Sequence, residues 1–518
     1  MQQKGKNMSE MKSYTLQEYA DILKENNLLV KCELCGREEQ KAESLTFNSK
    51  EAVKGTLFVC KGAAFKEDYL ADALKSGAIC YISEKEYPTD TEVPYIIVSD
   101  IRKTMPLLAN TFYCNPWQDL KLVGIGGTKG KSTSAYYMKA IVDDYLEADG
   151  RKESAVISGI DIYDGKELIE SHITTPEAME LQHYLRNALD CGIEYAQMEV
   201  SSQALKYHRV DGMRFDVAVF LNISEDHISP IEHEDYEDYL SSKLLMFGKT
   251  DTAVVNMDTD DRERVLEAAK AAGEVITFSL EDENADYYAH DIRKENGEIR
   301  FTVRCSEFEE EFVLTMPGLF NIENAMGVII AAVKLGIPRQ YIHSGLYRAR
   351  SKGRMQMYSS QDQKIIAIVD YAHNKLSFEK LFSSMKQEYP DYEIVAIFGC
   401  PGKKALLRRR DLGTVAGQYA SKVYLTAEDP GAEPVEQISR DIAKYVEAQN
   451  CCYEMIEDRG EAIRAAIEPV EKKTLLLVTG KGEETRQKYG SEYIDCTSDV
   501  EYVKRYLAAY DHRKAKNA

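Results

Sequence analysis

The segment GIGGTKGKST, residues 124–133, follows the apolar run LKLV and precedes a helical pattern that continues to about residue 146. Its glycines let the chain turn tightly, so that successive backbone N–H groups can point at phosphate oxygens. Lys131 would add positive charge, and the hydroxyl of Ser132 or Thr133 would offer a ligand to magnesium. The commonest phosphate-binding loop has a glycine where this chain has Ile125. The segment therefore predicts a less common type of phosphate site, with a plain glycine turn before a helix as the alternative.

The whole chain has the composition of a soluble globular protein with several domains. Its 518 residues exceed what one hydrophobic core usually supports, so we expect about three or four domains. A hydrophobic fraction of 44% argues against extensive disorder. The net charge of −21 argues against a general binder of nucleic acid or of anionic membranes.

The sequence favours a cytoplasmic location. No apolar run approaches the roughly 18 residues that a membrane span needs, and the first residues lack the apolar core of a signal peptide. Eleven cysteines, an odd number, are typical of free thiols in a reducing compartment. Cys32 and Cys35 form an isolated C-x-x-C motif, which predicts ordinary thiols rather than a metal or redox site. We expect a monomer that is not embedded in a membrane and has small-molecule substrates.

Three blocks predict an α/β fold with three domains. Residues 1–117 mix short apolar runs with helical stretches and end near NPW, which predicts a small N-terminal α/β domain. Residues 118–350 contain the glycine loop and further strand patterns, which predict a central domain like a P-loop ATPase. Residues 351–518 alternate strands and helices, which predicts a Rossmann-like domain with a parallel sheet. Ligands of such sheets bind beyond the carboxyl ends of the strands.

The spacing Gly-Thr-x-Gly-Lys-Ser after an apolar strand resembles the Mur ligase superfamily, ATP-dependent enzymes that join amino acids to peptidoglycan precursors. Further segments match in the family's order: ITTPEAMELQHYL, MEVSSQALKYHRVDGMRFDVAVFLNISEDHI, YLSSKLLMF, GLFNIENA, GRM, DYAHNKLSFEKL, FGC and TGKGEE. Together they resemble the muramyl-tripeptide synthetases, and among these the L-lysine-adding enzymes of Gram-positive cocci. The resemblance implies that the three domains bind the UDP-N-acetylmuramoyl substrate, ATP and the amino acid, in that order.

The resemblance also implies a metal site. It assigns catalytic roles to Lys131, Glu199, His227 and Lys243. Glu199 and His227 follow two strands, whose carboxyl ends would meet the phosphate loop at one edge of a sheet. With Ser132 and Lys243 they would hold Mg²⁺ once carbon dioxide has carbamylated the lysine, since the carbamate is an anionic oxygen ligand. From the pattern alone, Lys243 is a surface lysine on a helix.

Further residues match the family's nucleotide and substrate positions. The implied ATP contacts are Gly127, Thr128, Lys129, Gly130, Lys131, Ser132, Thr133, Asn321, Asn324, Arg354 and Asp370. The implied contacts with the UDP-N-acetylmuramoyl dipeptide are Ser49, Thr174, Thr175, Ser201 and Arg209. Among the ATP contacts, Asn321 and chiefly Asn324 match positions that contact adenine, while Arg354 and Asp370 match positions that hold the ribose and phosphates. Asn321 and Asn324 could instead cap the helix that begins there. Ser49 matches the serine that contacts the uridine, and it has Asn48 and Lys50 beside it, where the family usually has aspartate and arginine.

The amino acid would be bound by segments that follow strands of the third block. The implied contacts are Glu428, Asp429, Pro430, Gly431, Gly480 and Glu484, the last two for the α-carboxylate and amine. Enzymes of this group that add meso-diaminopimelate have an arginine for its distal carboxylate, where this chain has Gly431. Glu428, Asp429 and Glu433 favour a distal ammonium, which predicts lysine, with ornithine or another diamino acid as alternatives. An acidic turn without such a role is the remaining interpretation.

The predicted reaction is the ATP- and Mg²⁺-dependent addition of a diamino acid to UDP-N-acetylmuramoyl-L-alanyl-D-glutamate through an acyl phosphate. The third block departs from the family pattern at Gln356, Lys375 and Glu483, where glutamate, proline and histidine are usual. A run of lysines and the cluster Arg408–Arg410 replace a usual acidic–arginine run. Three alternatives remain: the same reaction with meso-diaminopimelate, a folate ligase, which would lack residues 1–117, and a nucleotide-binding paralogue without catalysis.

Overall fold

The computed structural model describes residues 13–62, 65–171, 173–224, 232–295, 297–403 and 406–517. The backbone divides into two compact units. The first comprises the described residues up to Tyr287 together with Gly327–Ile342, and the second comprises Tyr288–Met326 with the described residues from His343 onward. Within these ranges, no helix combines the length and the apolar character that a bilayer crossing requires.

The first unit begins with a five-stranded sheet. Its elements are α1 (Leu16–Glu25), β1 (Leu29–Glu33), β2 (Ser44–Thr46), β3 (Thr56–Val59), α2 (Glu67–Lys75), β4 (Cys80–Ser83), β5 (Tyr95–Val98) and α3 (Ile101–Phe112). The strand order is β1-β5-β4-β3-β2, and every neighbouring pair is parallel except β1 and β5. Apolar side chains of α1, α3 and the central strands form one core cluster. This arrangement matches the α/β unit predicted for the first block.

A larger sheet follows in the same unit. Its elements are β6 (Lys121–Gly126), α4 (Lys131–Ala148), β7 (Ala155–Ile157), β8 (Asp161–Tyr163), β9 (Leu168–Glu170), α5 (Ala178–Asp190), β10 (Tyr195–Glu199), α6 (Ser202–Lys206), β11 (Phe215–Phe220), α7 (Tyr236–Leu244), β12 (Thr250–Asn256), α8 (Arg262–Ala269) and β13 (Glu274–Ser279). The order is β13-β12-β11-β6-β10-β7-β8-β9, and β13 to β7 are parallel neighbours. The glycine loop therefore leaves the sheet between β10 and β11.

The two sheets of the first unit share hydrophobic core. Ala178 and Met179, at the start of α5, belong to the same buried cluster as α1 and α3. The Asn110 side chain in α3 also donates to the Asp211 carbonyl at 2.9 Å. The N-terminal sheet is thus packed against the helix that follows the Thr174–Thr175 segment, which places its loops near the predicted substrate residues.

The remaining elements begin with β14 (Tyr287–Glu295), β15 (Glu298–Arg304), β16 (Glu309–Leu314), α9 (Asn321–Lys334) and α10 (Arg339–Arg348). They continue with β17 (Gln356–Ser359), β18 (Ile365–Asp370), α11 (Lys375–Glu388), β19 (Glu393–Phe398), α12 (Leu407–Tyr419), β20 (Lys422–Leu425), α13 (Val435–Glu447), β21 (Cys452–Met455), α14 (Arg459–Ile467), β22 (Thr474–Thr479), β23 (Arg486–Tyr489), β24 (Glu492–Asp495) and α15 (Asp499–Asn517). Strands β14 to β16 form an antiparallel meander.

The second unit has a six-stranded sheet in the order β17-β18-β22-β19-β20-β21. Only β17 runs antiparallel, and the five other strands are parallel neighbours. All residues of β22 are buried, as expected for a central strand covered by helices on both faces. This sheet agrees with the one predicted for the third block. The predicted domain boundaries at 117/118 and 350/351 stay a prediction, since the two backbone units divide the chain at other places.

Candidate nucleotide and substrate site

The predicted phosphate loop joins β6 to α4 in the middle of the first unit's sheet. Gly127 and Gly130 have φ angles of 148° and 86°, which L side chains rarely adopt. A Cβ on Gly127 would lie 3.2 Å from the Lys129 carbonyl oxygen. The Lys131 ammonium donates to the carbonyl oxygens of Gly127 at 2.9 Å and Thr128 at 3.2 Å. The loop thus combines a tight turn with the start of a helix, and the Lys131 ammonium lies against its backbone carbonyls.

Asn222, two residues after the end of β11, holds this loop from the neighbouring strand. Its side chain accepts the Lys129 N–H at 2.8 Å and donates to the Lys129 carbonyl at 3.2 Å. Its backbone carbonyl accepts the Thr128 N–H at 2.9 Å. Asn222 is not among the predicted site residues, although a polar residue directly after the apolar run VAVFL is a usable signal.

Lys243 is buried beside the loop, contrary to the surface position that its sequence pattern alone indicates. The residue is 3% exposed, and its ammonium donates to the Gly127 carbonyl at 2.8 Å. The same ammonium lies 4.8 Å from the centre of the Tyr239 ring, whose hydroxyl donates to Thr128 Oγ1 at 3.0 Å. An amine next to the phosphate loop is where a carbamate would reach a bound metal, and the modification itself stays a prediction.

Glu199 ends β10 next to the loop. Its Cα pairs with that of Ile125 in the sheet, and its carboxylate, 2% exposed as a residue, accepts the Gly159 N–H at 2.8 Å. Ser132 is buried in the first turn of α4. His227 lies outside the described residues, and within the described parts no three His, Cys, Asp or Glu side chains form a metal-binding group.

These residues fit a magnesium-bound triphosphate. The first N–H groups of a helix have no partner inside it and attract anions, and α4 begins within this loop, at Lys131. Lys131 supplies a cation, while Ser132 and Glu199 supply the hard oxygen atoms that Mg²⁺ prefers. Lys243 would add oxygen ligands only as a carbamate.

The predicted substrate residues of the first unit form one group beside Glu199. The Thr175 hydroxyl donates to the Glu199 carbonyl at 2.9 Å and accepts the Ser201 N–H at 3.0 Å. The Arg209 guanidinium donates to the Thr175 carbonyl at 3.1 Å. Thr174 and Glu199 both lie beside Gly159, since a Cβ on this glycine would lie 3.6 Å from Thr174 Oγ1 and 3.7 Å from Glu199 Oε1. The predicted metal ligand and the predicted dipeptide contacts therefore share one edge of the sheet.

Glu177 connects this group to the N-terminal sheet. Its Oε1 atom lies 2.7 Å from Arg209 Nη2 and 2.8 Å from Lys61 Nζ. Lys61 follows β3, and its ammonium also lies 4.5 Å from the centre of the Phe47 ring. Ser49, the predicted uridine contact, is half-buried in the turn after β2. Neither Lys61 nor Glu177 was predicted, because their meeting depends on how the two sheets pack.

The second unit contains the predicted adenine contacts. Asn321 and Asn324 are 0% and 4% exposed in the first turn of α9. Asn324 donates to the side-chain oxygen of Asn321 at 2.9 Å, and Asn321 donates to the Pro317 carbonyl at 2.7 Å. The two carboxamides are thus linked to each other and to the turn before the helix.

Asp370 ends β18 and organises the turn next to Arg354. Its carboxylate accepts the backbone N–H groups of Met355 at 2.9 Å and Ala372 at 2.7 Å. The Arg354 guanidinium lies 4.8 Å from the centre of the Tyr371 ring. A ribose contact by Asp370 would therefore add to a role in holding the backbone.

Glu428 is the most unusual ionisable group at the predicted amino-acid site. It is 8% exposed, and no hydrogen bond or ion pair reaches its carboxyl from the described residues. Burial raises the pKa of Glu428 to about 8, against the opposing effect of Arg459. A Cβ on Gly480 would lie 3.5 Å from the Glu428 carboxyl carbon, so the two predicted contacts are neighbours.

The other carboxylates of this site already have partners. The buried ammonium of Lys481 lies 3.0 Å from Asp429 Oδ1 and also pairs with Glu484. Burial acts to lower the pKa of Lys481, but these two carboxylates outweigh it and raise that pKa. Glu433 forms a bidentate pair with Arg409, with N–O distances of 2.8 and 2.7 Å. Of the acidic residues that the sequence offered to a distal ammonium, Glu428 is the one without a cation partner among the described residues.

The loop Pro430–Gly431 is tightly held. Gly431 has a φ of 56°, and its N–H donates to the Lys488 carbonyl at 3.0 Å. The Gly402 N–H donates to the Asp429 carbonyl at 3.0 Å, and a Cβ on Gly402 would lie 1.8 Å from the Pro430 carbonyl oxygen. Gly402, the second glycine of GCPG, is therefore needed, because a side chain there would prevent the close approach of its loop to the loop that contains Pro430.

We expect Gly402→Ala to displace the loop that carries Asp429 and Pro430. Overpacking against a backbone carbonyl should lower the free energy of unfolding by about 1–3 kcal/mol and raise KM for the amino acid. Urea denaturation and steady-state kinetics measure the two effects. Gly248→Ala is the matched control, since a Cβ there meets no atom within 4 Å. Equal behaviour of the two variants would contradict the prediction.

Two departures from the family pattern contact each other. The Gln356 side chain donates to Glu483 Oε1 at 2.7 Å. A Cβ on Gly482 would lie 3.3 Å from the Gly353 Cα, so the segment that leads into β17 also lies close to the loop that contains Glu483. The unusual residues at these two positions therefore form one complementary pair.

Comparisons with known proteins identify the family. Residues 125–332 match the model of the Mur ligase middle domain, and residues 353–482 match that of the Mur ligase, glutamate ligase domain. A UDP-N-acetylmuramyl-tripeptide synthetase of Lactobacillus acidophilus is 34% identical, over 92% of this chain and 94% of the relative. A UDP-N-acetylmuramoyl-L-alanyl-D-glutamate–L-lysine ligase of Streptococcus agalactiae is 35% identical, over 90% of this chain and 92% of the relative.

Solved structures agree on the fold. A UDP-N-acetylmuramoyl-L-alanyl-D-glutamate–2,6-diaminopimelate ligase aligns with a TM-score of 0.66 at 23% identity, over 96% of this chain and 99% of that one. A MurF ligase of Thermotoga maritima in complex with ADP aligns with a TM-score of 0.61 at 16% identity, over 92% and 98%. A folylpolyglutamate synthase of the same organism covers only 73% of this chain. The predicted α/β fold and the predicted family are confirmed, and the chain belongs to the Mur ligases, enzymes that use ATP and Mg²⁺ to form carbon–nitrogen bonds.

Proposed function

We propose that this Mur ligase joins L-lysine to the D-glutamate of UDP-N-acetylmuramoyl-L-alanyl-D-glutamate. The observation that supports lysine is the buried Glu428 carboxyl, which has no partner among the described residues at the predicted amino-acid site. An ammonium group beside it would supply the missing partner and favour the ionised form. The Streptococcus relative named as an L-lysine ligase, 35% identical, supports the same substrate.

A distal carboxylate, as in meso-diaminopimelate, would find few available cations here. Three cations act on Glu428: Arg459, Arg408 and Lys481. Lys481 pairs with Asp429 and Glu484, and Arg459 pairs with Asp499 at 2.6 Å. Arg408 has no ion pair with the described residues and could hold the α-carboxylate that every amino acid carries.

Bound MgATP would supply the phosphoryl group that converts the γ-carboxylate of the substrate's D-glutamate into an acyl phosphate. The α-amine of lysine would then form the amide bond, and phosphate and one proton would leave. Lys131 would offset negative charge on the phosphates, and Glu199 with carbamylated Lys243 would hold the metal. Thr174, Thr175, Ser201 and Arg209 would hold the dipeptide beside that metal, because they lie at the same sheet edge as Glu199.

An amino-acid panel tests this function. Purified protein with ATP, Mg²⁺ and the dipeptide nucleotide should release phosphate with L-lysine, and kcat/KM for meso-diaminopimelate should be at least about a hundredfold lower. L-Ornithine, which keeps both amines on a shorter chain, measures the dependence on chain length. Preference for meso-diaminopimelate would contradict the assignment of lysine. Absence of phosphate release with every amino acid would favour the nucleotide-binding paralogue.

We also propose that the enzyme works in the cytoplasm as a monomer. The free cysteines of the described residues support this location. Cell fractionation and light scattering during size-exclusion chromatography measure location and oligomeric state. A membrane-bound fraction or a stable dimer would contradict the respective half of the proposal.

A further inference from the structure

A fully buried carboxylate lies under the turn that leads into α9. Glu388 ends α11, and its side chain is 1% exposed. Its Oε1 atom accepts the N–H groups of Gly318 at 2.9 Å and Leu319 at 3.1 Å, and the Ser384 hydroxyl at 2.7 Å. One carboxylate oxygen therefore fixes two consecutive peptide groups of this turn.

The second oxygen of Glu388 faces a lysine. Lys294, in β14, lies 3.3 Å from Oε2 and donates to the Glu388 carbonyl at 3.2 Å. Its ammonium also lies 3.4 Å from the centre of the Tyr389 ring. Burial lowers the pKa of Lys294 and opposes the effect of Glu388. Such buried pairs often add little net stability but fix geometry, because breaking one leaves a buried charge alone.

The turn held by Glu388 carries the predicted adenine contacts. Gly318 has a φ of 99°, and a Cβ there would lie 2.8 Å from the Phe320 ring. Asn321 donates its N–H to the Gly318 carbonyl at 2.8 Å and its side-chain amide to the Pro317 carbonyl at 2.7 Å. Asn324 then donates to the Asn321 side chain. Any movement of the turn would therefore reorient both carboxamides.

We propose that Glu388 is a positioning residue for the nucleotide, which sets the carboxamides of Asn321 and Asn324 through the turn at Gly318 and Leu319. The inference rests on the ATP dependence of the proposed function and on the prediction that these two asparagines contact the adenine. A second contact between α11 and α9 is the ion pair of Lys380 with Glu323, at 3.4 Å. The helix that follows β18 would thus control how well the nucleotide is held.

The Glu388–Lys294 pair allows a charge-matched test. Glu388→Gln keeps an oxygen for the turn but places an amide NH₂ against the Lys294 ammonium, so two donors face each other. We expect this variant to bind Mg·ADP at least about tenfold more weakly in calorimetry. The double variant Glu388→Gln with Lys294→Met removes both charges and should recover binding to within about threefold. Lys386→Met, an exposed lysine of the same helix, is the control and should bind normally.

Hydrogen exchange distinguishes a local effect on the turn before α9 from destabilisation of the whole unit. Residues 315–326 should exchange faster in Glu388→Gln and return to the wild-type rate in the double variant, while β22 should stay unchanged in both. Ser384→Ala removes two hydrogen bonds, one to Glu388 and one from the Leu319 N–H, and no charge. It keeps the test available if Glu388→Gln does not fold. We expect Ser384→Ala to weaken Mg·ADP binding about twofold to tenfold.

Two outcomes would overturn the inference: Mg·ADP binding unchanged in folded Glu388→Gln and Ser384→Ala, or weakened binding that the double variant does not recover. The proposed function fails separately. Wild-type protein that binds Mg·ADP but releases no phosphate with lysine and the dipeptide nucleotide would contradict that function alone. The binding and exchange measurements would still decide the role of Glu388.

Discussion

Replacing Lys243 with alanine is expected to lower kcat by about a hundredfold to a thousandfold. The ammonium lies 2.8 Å from the Gly127 carbonyl, so its carbamate would stand beside the phosphates and could bind the metal. Steady-state phosphate release measures the effect. Intact-protein mass spectrometry under native conditions should also show one added CO₂ on wild-type protein, which is absent from the variant.

Further variants at position 243 decide whether the working side chain is an anionic carbamate or a cationic ammonium. If a carbamate is the working form, Lys243→Glu should retain more activity than Lys243→Gln, because glutamate supplies a carboxylate near the same place. If the unmodified ammonium neutralises the phosphates, Lys243→Glu should be the least active of the three variants. Lys270→Ala controls for the loss of a lysine, since Lys270 is exposed on the same unit. Lower activity of Lys243→Glu than of Lys243→Gln would contradict the carbamate.

Replacing Glu428 with glutamine is expected to raise KM for lysine by about tenfold to a hundredfold, with KM for ATP unchanged. A hydrogen bond to a charged group contributes about 1.5–3 kcal/mol, and glutamine cannot form the ion pair with the distal ammonium. The effect should depend on pH, because burial raises the pKa of Glu428 to about 8. Below that pH the empty site holds a neutral acid, so KM for lysine should fall as the pH rises from 7 to 9. Glu428→Gln should lack this dependence.

Stability gives an independent check of the same carboxyl. Its pKa is raised above the ordinary value of 4.5 in the folded protein, so the protonated form favours folding. This contribution is complete below pH 4.5 and is lost as the pH rises through about 8. Relative to wild type, Glu428→Gln should therefore gain melting temperature between pH 5 and pH 9. A constant difference across that range would mean that the Glu428 carboxyl is not held in a poorly solvated site.

Much of the fold and the nucleotide loop could be predicted from the sequence. The apolar run before Gly124 and the helical pattern after Lys131 define a strand, a turn and a helix through local interactions alone. The positions of Glu199 and of Asp370 at strand ends follow from the same kind of pattern. Within each sheet, the parallel strands then bring their own carboxyl ends to one edge, because these strands point in the same direction.

Contacts between distant segments could not be predicted in this way. Lys243 looks exposed in its helical pattern, and only the packing of α7 places its amine on the Gly127 carbonyl. The pairing of Lys61 with Glu177, and of Gln356 with Glu483, joins residues more than a hundred positions apart. No periodicity in a single sequence encodes such meetings.

The sequence by itself determined the α/β class, the phosphate loop and the order of the segments, because these depend on hydrophobic periodicity and on glycine geometry. The tertiary structure alone decided which charges are neutralised. Asp429, Glu433 and Glu484 share the acidic pattern of Glu428, yet each has a lysine or arginine partner. Burial and pairing arise from the packing of remote elements, and this packing leaves the Glu428 carboxyl without a cation among the described residues.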